Sequence, residues 1–196
     1  MRLGLGGGYV IDRLTQEEDY DGGVTLKGAA VATEITFGGT IGSVALFGGI
    51  FNHVAPRLEG TFDYLGQTGE AKAGTSILTL YAVGVDIYPD PKRGAHVEAG
   101  VGALVLAMDQ SHDSDSAAGF FDGSTSGAAV QAPAVSPNQY TTGIGAVVGG
   151  GYEWWIGEQW SMGLIGRVTL GRVEAPDDSQ VQVIVIPALL GAVTYH

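Results

Sequence analysis

Between Gly143 and Arg172 the chain alternates apolar and small or polar residues twice, on either side of Ile156-Gly157-Glu158-Gln159. A period of two over so long a stretch specifies extended strands, because successive side chains in a strand point to opposite faces. Here one face of each strand is apolar and closes in aromatics beside the turn. The other face is glycine, serine, threonine and isolated charges. A face this poor in bulky side chains does not make a dry protein core. A strand pair reads this way when one face meets lipid and the other lines a barrel.

The same design recurs along the chain. A first strand, about Arg2 to Asp12, sets Leu3, Leu5, Gly7, Tyr9 and Ile11 against Gly4, Gly6, Gly8, Val10 and Asp12. A second, about Val24 to Phe37, puts Val31, Thr33, Ile35 and Phe37 outward and Glu34 and Thr36 inward. Val24 and Leu26 fall out of phase with that outward set, which predicts a bulge near Gly28. Gly38-Gly39-Thr40 reads as a tight turn, and a third strand runs from about Ile41 to His53. The fourth, about Ser76 to Tyr88, alternates most clearly, with Ile77, Tyr81, Val83, Val85 and Ile87 against Leu80, Ala82, Gly84 and Asp86. Pro89 to Gly94 is a turn on proline and glycine grounds. A fifth strand, Ala95 to Met108, points His96, Glu98, Gly100 and Gly102 inward. Strands six and seven are the opening pair, and an eighth runs from Val181 to the C-terminus.

Eight strands, each of about 11 residues or more, meet the roughly 9 to 11 that a tilted strand needs to cross a bilayer. Their connections alternate between long and tight. The expected fold is therefore all-β, an eight-stranded antiparallel up-and-down transmembrane barrel in one domain over 1–196, with external loops at about 13–23, 54–75, 109–139 and 174–180. Closure leaves no strand edge unpaired in lipid. Thr61 to Leu65, within the second loop, could extend neighbouring strands beyond the bilayer.

Composition enters as support. The 33 glycines, with many β-branched residues, argue against helices. No apolar run reaches the roughly 18 residues of a membrane helix; the longest, Val183 to Val193, is broken by Pro187 and Gly191. A net charge of -12 argues against nucleic acid as a partner. With no cysteine there is no disulfide framework and no thiolate chemistry. Of the 21 acids, all but Asp12, Glu34, Asp86, Asp90, Glu98, Glu153 and Glu158 lie in the four long loops or at their edges, which leaves 14 there. No signal peptide precedes the first strand, so an exported protein is expected to be a mature form with Met1 an added start residue.

The outward aromatics Tyr152, Trp154 and Trp160, with Phe37 and Tyr195 at the same level, form an expected girdle at the periplasmic interface. Inward, a symmetric turn at Pro89 to Gly94 sets Asp86 opposite Glu98 and Tyr88 opposite His96. Facing carboxylates raise one another's pKa unless a cation lies between them. Glu153 and Glu34 are further inward acids, and Arg167 is the inward mid-strand cation.

This layout resembles the small eight-stranded outer-membrane barrels of the OmpA transmembrane-domain and OmpX kind. The motif Gly151-Tyr152-Glu153-Trp154-Trp155, followed by Glu158-Gln159-Trp160-Ser161-Met162-Gly163, is also similar to a hairpin of barrel-like envelope proteins from myxobacteria and related Gram-negatives. The resemblance implies an internal acid–base network that plugs the barrel, with Arg167 and Glu98, Asp86 or Glu153 as its members here. It implies a place in the bacterial outer membrane. Many such barrels end in an aromatic that the assembly machinery reads; here Tyr195 is penultimate and His196 last.

Other motifs fail. Gly4 to Gly8 is followed by no helix, so it is no dinucleotide loop. Gly123 to Gly127 lacks nucleophile-elbow spacing. Asp109, Asp113 and Asp115, with His112, are a weak candidate for a hard cation, and a solvated loop is the plainer reading. No His, Ser and acid set is expected at the lipid face, so an enzyme is not expected, and neither a cofactor nor a resident metal. Expected partners are the bilayer, lipopolysaccharide and the outer-membrane assembly machinery, with the chain a monomer. Two function classes lead: a structural or surface-interaction barrel working through its acidic loops, and a narrow channel for water, ions or small solutes. A soluble lipocalin-like ligand-binding barrel ranks third.

Overall fold

A computed structural model describes residues 1–16, 22–64, 67–90, 94–108, 140–174 and 180–196. These residues form ten strands: β1 (Arg2–Gln16), β2 (Gly22–Ile41), β3 (Val44–Ala55), β4 (Leu58–Tyr64), β5 (Gln67–Ala73), β6 (Ser76–Ile87), β7 (Ala95–Met108), β8 (Tyr140–Trp155), β9 (Trp160–Glu174) and β10 (Gln180–Tyr195). Eight of them close a ring. Its order is β1-β2-β3-β6-β7-β8-β9-β10, and β1 pairs antiparallel with both β2 and β10. The expected all-β, eight-stranded antiparallel barrel is what the pairing shows.

The remaining two strands form a hairpin inside the expected second loop. β4 pairs with β2 from Gly22↔Tyr64 to Lys27↔Glu59, and β5 pairs with β4. They therefore extend the β2 side of the wall beyond the ring. β2 changes partner near Gly28, from β4 to β3, whose pairing begins at Val31↔Val54. A Cβ at Gly28 would lie 2.3 Å from the carbonyl oxygen of Arg57, so glycine is what lets the crossing backbone pass so close.

That change of partner replaces the expected bulge. The β1–β2 register is unbroken from Arg2↔Thr36 to Thr15↔Gly23. Val24 and Leu26 are inward residues in phase with Ala30, Ala32 and Glu34, and Leu26 packs on the internal apolar cluster. They fall out of phase with the lipid-type face because that part of the interior is itself apolar.

The turn after β2 also differs. Gly38 and Gly39 are paired strand residues, opposite Phe47 and Leu46. A Cβ on Gly38 would sit 2.0 Å from the Leu46 carbonyl oxygen, so the glycine serves close backbone approach. The reversal falls at Gly42-Ser43, with Gly42 at φ +66°, as a two-residue hairpin with glycine first permits. β3 accordingly starts at Val44, β1 runs on to Gln16 and β2 begins at Gly22.

The turns at Gly42-Ser43, Tyr88–Gly94 and Ile156–Gln159 lie at one end of the barrel, together with both termini. Tyr195 N donates to Met1 O at 2.7 Å there. We call this the turn end and the opposite one the loop end. Outward faces are apolar around the ring, with Leu5, Val83, Val101, Ile144 and Leu189 all more than 60% exposed. Pro187 lies where β1 and β10 lose their pairing at Tyr9 and Val10, since proline offers no N–H to the ladder.

Candidate functional site in the barrel interior

The interior is filled in two layers. At the turn end, inward positions of six of the eight ring strands deliver Arg2, Glu34, Asp86, Glu98, Glu153 and Arg167, all buried. Arg2 is the hub. Its Nε lies 2.8 Å from Glu34 Oε1, its Nη1 3.1 Å from Asp86 Oδ2 and its Nη2 2.6 Å from Glu98 Oε2. Arg167 pairs with the other oxygens, Glu34 Oε2 through Nη2 and Glu98 Oε1 through Nε. Each of these two glutamates is thus bridged between two guanidinium groups. The planar fork of arginine suits such shared carboxylates.

The long acidic side chains have room because glycines face them. A Cβ on Gly4 would lie 2.6 Å from Glu34 Cγ, and one on Gly149 2.8 Å from Glu98 Oε1. At Gly163 it would lie 3.0 Å from Glu153 Cγ. The inward glycines thus make room for the charged side chains.

Glu153 stands nearer the turn end. It accepts hydrogen bonds from Thr194 Oγ1 at 2.8 Å and Ser161 Oγ at 3.2 Å. His196 Nε2 lies 3.5 Å from the same carboxylate and 2.9 Å from Ser161 Oγ. These three make a serine, histidine and acid set, but serine and acid meet the same imidazole nitrogen. A relay needs the acid on one nitrogen and the nucleophile on the other, and Ser161 has no exposed surface. Burial holds the His196 imidazole below the ordinary histidine pKa, against the pull of Glu153.

Toward the loop end the interior carries an apolar layer, from β6 and β7 again and from β3 and β10. Phe51, Leu78, Leu80, Leu104, Leu106, Ile184 and Ile186 pack there, with Leu80, Leu104 and Ile186 at 0% exposure. Again glycines make space: a Cβ on Gly145 would stand 2.7 Å from Leu80 Cδ1, and one on Gly171 2.6 Å from Leu104 Cδ2. The layers meet where the Arg167 guanidinium lies 4.7 Å from the Phe51 ring centroid, a cation–π contact. Beside it His53 Nε2 and Thr169 Oγ1 are 3.0 Å apart. Asp12 is buried in this half, held by Gln182 Nε2 at 2.6 Å.

The polar-network residues expected from sequence, Arg167, Glu98, Asp86, Glu153, Glu34 and His96, lie in the turn-end region. Asp86 and Glu98 are cross-strand partners, and the Tyr88 and His96 rings stand 5.1 Å apart. Arg167 joins Glu98 and Glu34; Glu153 has the separate hydroxyl and histidine partners above. Arg2 is the residue the sequence reading lacks. Its parity with Gly4 and Asp12 marks it as inward, but it opens the first strand and reads as a flank. The apolar layer is the other omission.

The girdle residues are on the outer surface at the turn end. Tyr152 and Trp154 have ring centroids 5.1 Å apart, as do Trp160 and Tyr195. Tyr195 Oη donates to Gln159 Oε1 at 3.0 Å, and Phe37 is 60% exposed on β2. Asp109, Asp113 and Asp115 lie outside the described residues.

The sequence matches no protein-family model and no curated protein. Similar solved structures include the outer membrane protein OprG from Pseudomonas aeruginosa, 13% identical over 100% of this chain and 95% of that one, with a TM-score of 0.49. Neisserial surface protein A is 8% identical over 99% and 97%, with a TM-score of 0.48. The attachment invasion locus protein Ail of Yersinia pestis is 6% identical over 97% of each chain, with a TM-score of 0.38. The fold assignment rests on the strand pairing itself, which closes the ring.

Proposed function

We propose that this chain is an integral barrel of the bacterial outer membrane with a structural or surface-interaction role, its interior sealed by the two layers. The observation that carries the reading is the sealed interior inside an apolar outer wall. The ring strands span 12 to 20 residues, beyond the roughly 9 to 11 required for crossing. Their exposed faces bear leucine, valine, isoleucine and aromatics all round. A water-soluble protein rarely shows so large a contiguous apolar surface, and this weighs against the lipocalin-like alternative.

A narrow channel is the second reading. The apolar layer disfavours it, because a bore filled by Leu80, Leu104 and Ile186 holds no water path between polar groups. In a sealed barrel the working surface is the loop end, where the β4–β5 hairpin extends the wall and to which the acidic sequence between the ring strands belongs. Lipopolysaccharide bridged by cations is a partner suited to that charge, and the assembly machinery and the bilayer complete the set for a monomer. The proposed role is non-enzymatic: in the serine, histidine and acid set, serine and acid meet the same imidazole nitrogen, which is not relay geometry.

The test is export and fractionation. Expressed behind a signal peptide in a Gram-negative host, the chain should appear in the outer-membrane fraction as a band that migrates differently boiled and unboiled. A soluble protein whose mobility ignores boiling would sink the reading and turn attention to an internal ligand.

A further inference from the structure

The turn-end layer is unbalanced. Among the described residues, Arg2 and Arg167 supply two positive charges to four carboxylates, Glu34, Asp86, Glu98 and Glu153. The excess is two negative charges in a space without free access to water. Buried charge of that kind is costly unless it is compensated.

The unmatched donors gather on one side. Asp86 and Glu98 face each other across β6 and β7, and His96 lies two residues before Glu98 on the same face. They are 6%, 2% and 3% exposed. One oxygen of each carboxylate and a ring nitrogen of His96 lie within 4.8 Å of one another. Asp86 Oδ1 and His96 Nε2 are buried and have no hydrogen-bond partner among the described residues. His96 Nδ1 turns to the Gly94 carbonyl oxygen at 3.4 Å; a carbonyl only accepts, so Nδ1 is the donor there and Nε2 is the nitrogen left without a partner among the described residues. A histidine that donates to a backbone carbonyl through one nitrogen and offers the other is the usual arrangement of a metal ligand. Arg2 holds Asp86 by Oδ2, which leaves Oδ1 as the free oxygen. Glu98 has spare lone pairs on its paired oxygens, since a carboxylate accepts about four contacts.

The backbone here is fixed from several sides. Gly94 sits at φ +71° and accepts from Glu153 N at 2.9 Å, and Tyr88 N donates to Ser43 O at 2.8 Å. A Cβ on Gly151 would stand 2.9 Å from His96 Cε1, so a glycine again gives the ring its place.

We propose that Asp86, His96 and Glu98 bind one divalent transition-metal ion, with Zn²⁺ the best match to one nitrogen and two oxygen donors. Magnesium and calcium favour oxygen-only sets. Such an ion cancels the two excess charges and pins β6 to β7 beside their turn, with water completing a four-coordinate shell. The proposal uses the sealed-interior reading but not the membrane location. Binding in the refolded barrel is measured separately from fractionation or conductance.

The experiment is metal titration of the full chain, refolded in detergent and stripped with a chelator. Calorimetry with Zn²⁺ should show one equivalent bound, with Mg²⁺ and Ca²⁺ giving no stoichiometric signal. His96→Ala and Asp86→Asn, checked for the folded gel band, should lose the Zn²⁺ signal. Nitrogen NMR of wild-type histidine rings reads the same site without a variant: of the four histidines, one should shift on Zn²⁺ addition. Absence of one-equivalent uptake by the wild type, uptake that persists in folded His96→Ala, or a response from none or several of the rings would overturn the proposal.

Discussion

At the turn end the interior is filled by arginines and carboxylates; six residues further along β6 and β7 it is filled by leucine, joined by isoleucine and phenylalanine from other strands. On β6 the change runs from Asp86 to Leu80, and on β7 from Glu98 to Leu104, roughly 20 Å of strand in each case. The two layers fill one bore by opposite means. The apolar layer gains from removing carbon from water and needs only shape. The polar layer must meet each charge with a partner, because desolvation makes an unpaired one expensive. Packing faults should therefore be graded in the first and abrupt in the second.

The largest expected effect follows from unpairing the second. Arg167→Met should take one of two guanidinium partners from both Glu34 and Glu98, leaving only Arg2 for each, and cost about 3–5 kcal/mol, read as a fall in the denaturant midpoint in detergent. A cost below about 1 kcal/mol would show that the carboxylates are solvated, and the layered picture would break. Leu104→Ala in the apolar layer should cost about 2–4 kcal/mol, since Gly145 and Gly171 beside it offer no side chain to fill the cavity.

Smaller changes sharpen the contrast between inward and outward positions. Gly149→Ala pushes a methyl against Glu98 Oε1 and the Gly166 carbonyl and should cost about 1–3 kcal/mol. Gly7→Ala, where a Cβ meets nothing within 4 Å, should stay within about 0.5 kcal/mol; equal costs at the two glycines would contradict the assignment of faces. Thr194→Val removes one hydrogen bond to Glu153 and should cost about 1–2 kcal/mol.

The outward face was legible in sequence because an apolar residue recurs along it at nearly every second position. Ile77 to Ile87 and Val97 to Val105 could be read on that ground alone. The interior carries no such uniform pattern. Glu98, Asp86 and Arg167 stood out as charges on an otherwise small-residue face, whereas Leu80, though read as inward, and Leu104 gave no sign in sequence that they join residues of other strands in one apolar layer. Glycine misled for the same reason. Gly38-Gly39 resembles a turn in one dimension, yet in the fold it marks where the β3 backbone comes close. Arg2 escaped because its partners come from β2, β6 and β7, a convergence that only closure of the ring creates.

The sealed bore is tested most directly by conductance of the purified protein in planar bilayers. Wild type should give no stable current steps, and neither Glu98→Ala nor Leu104→Ala alone should give any, because the other layer still closes the bore. Opening both in the double variant should produce steps. Reproducible steps from the wild-type protein, altered by Glu98→Ala, would contradict the account and establish a channel.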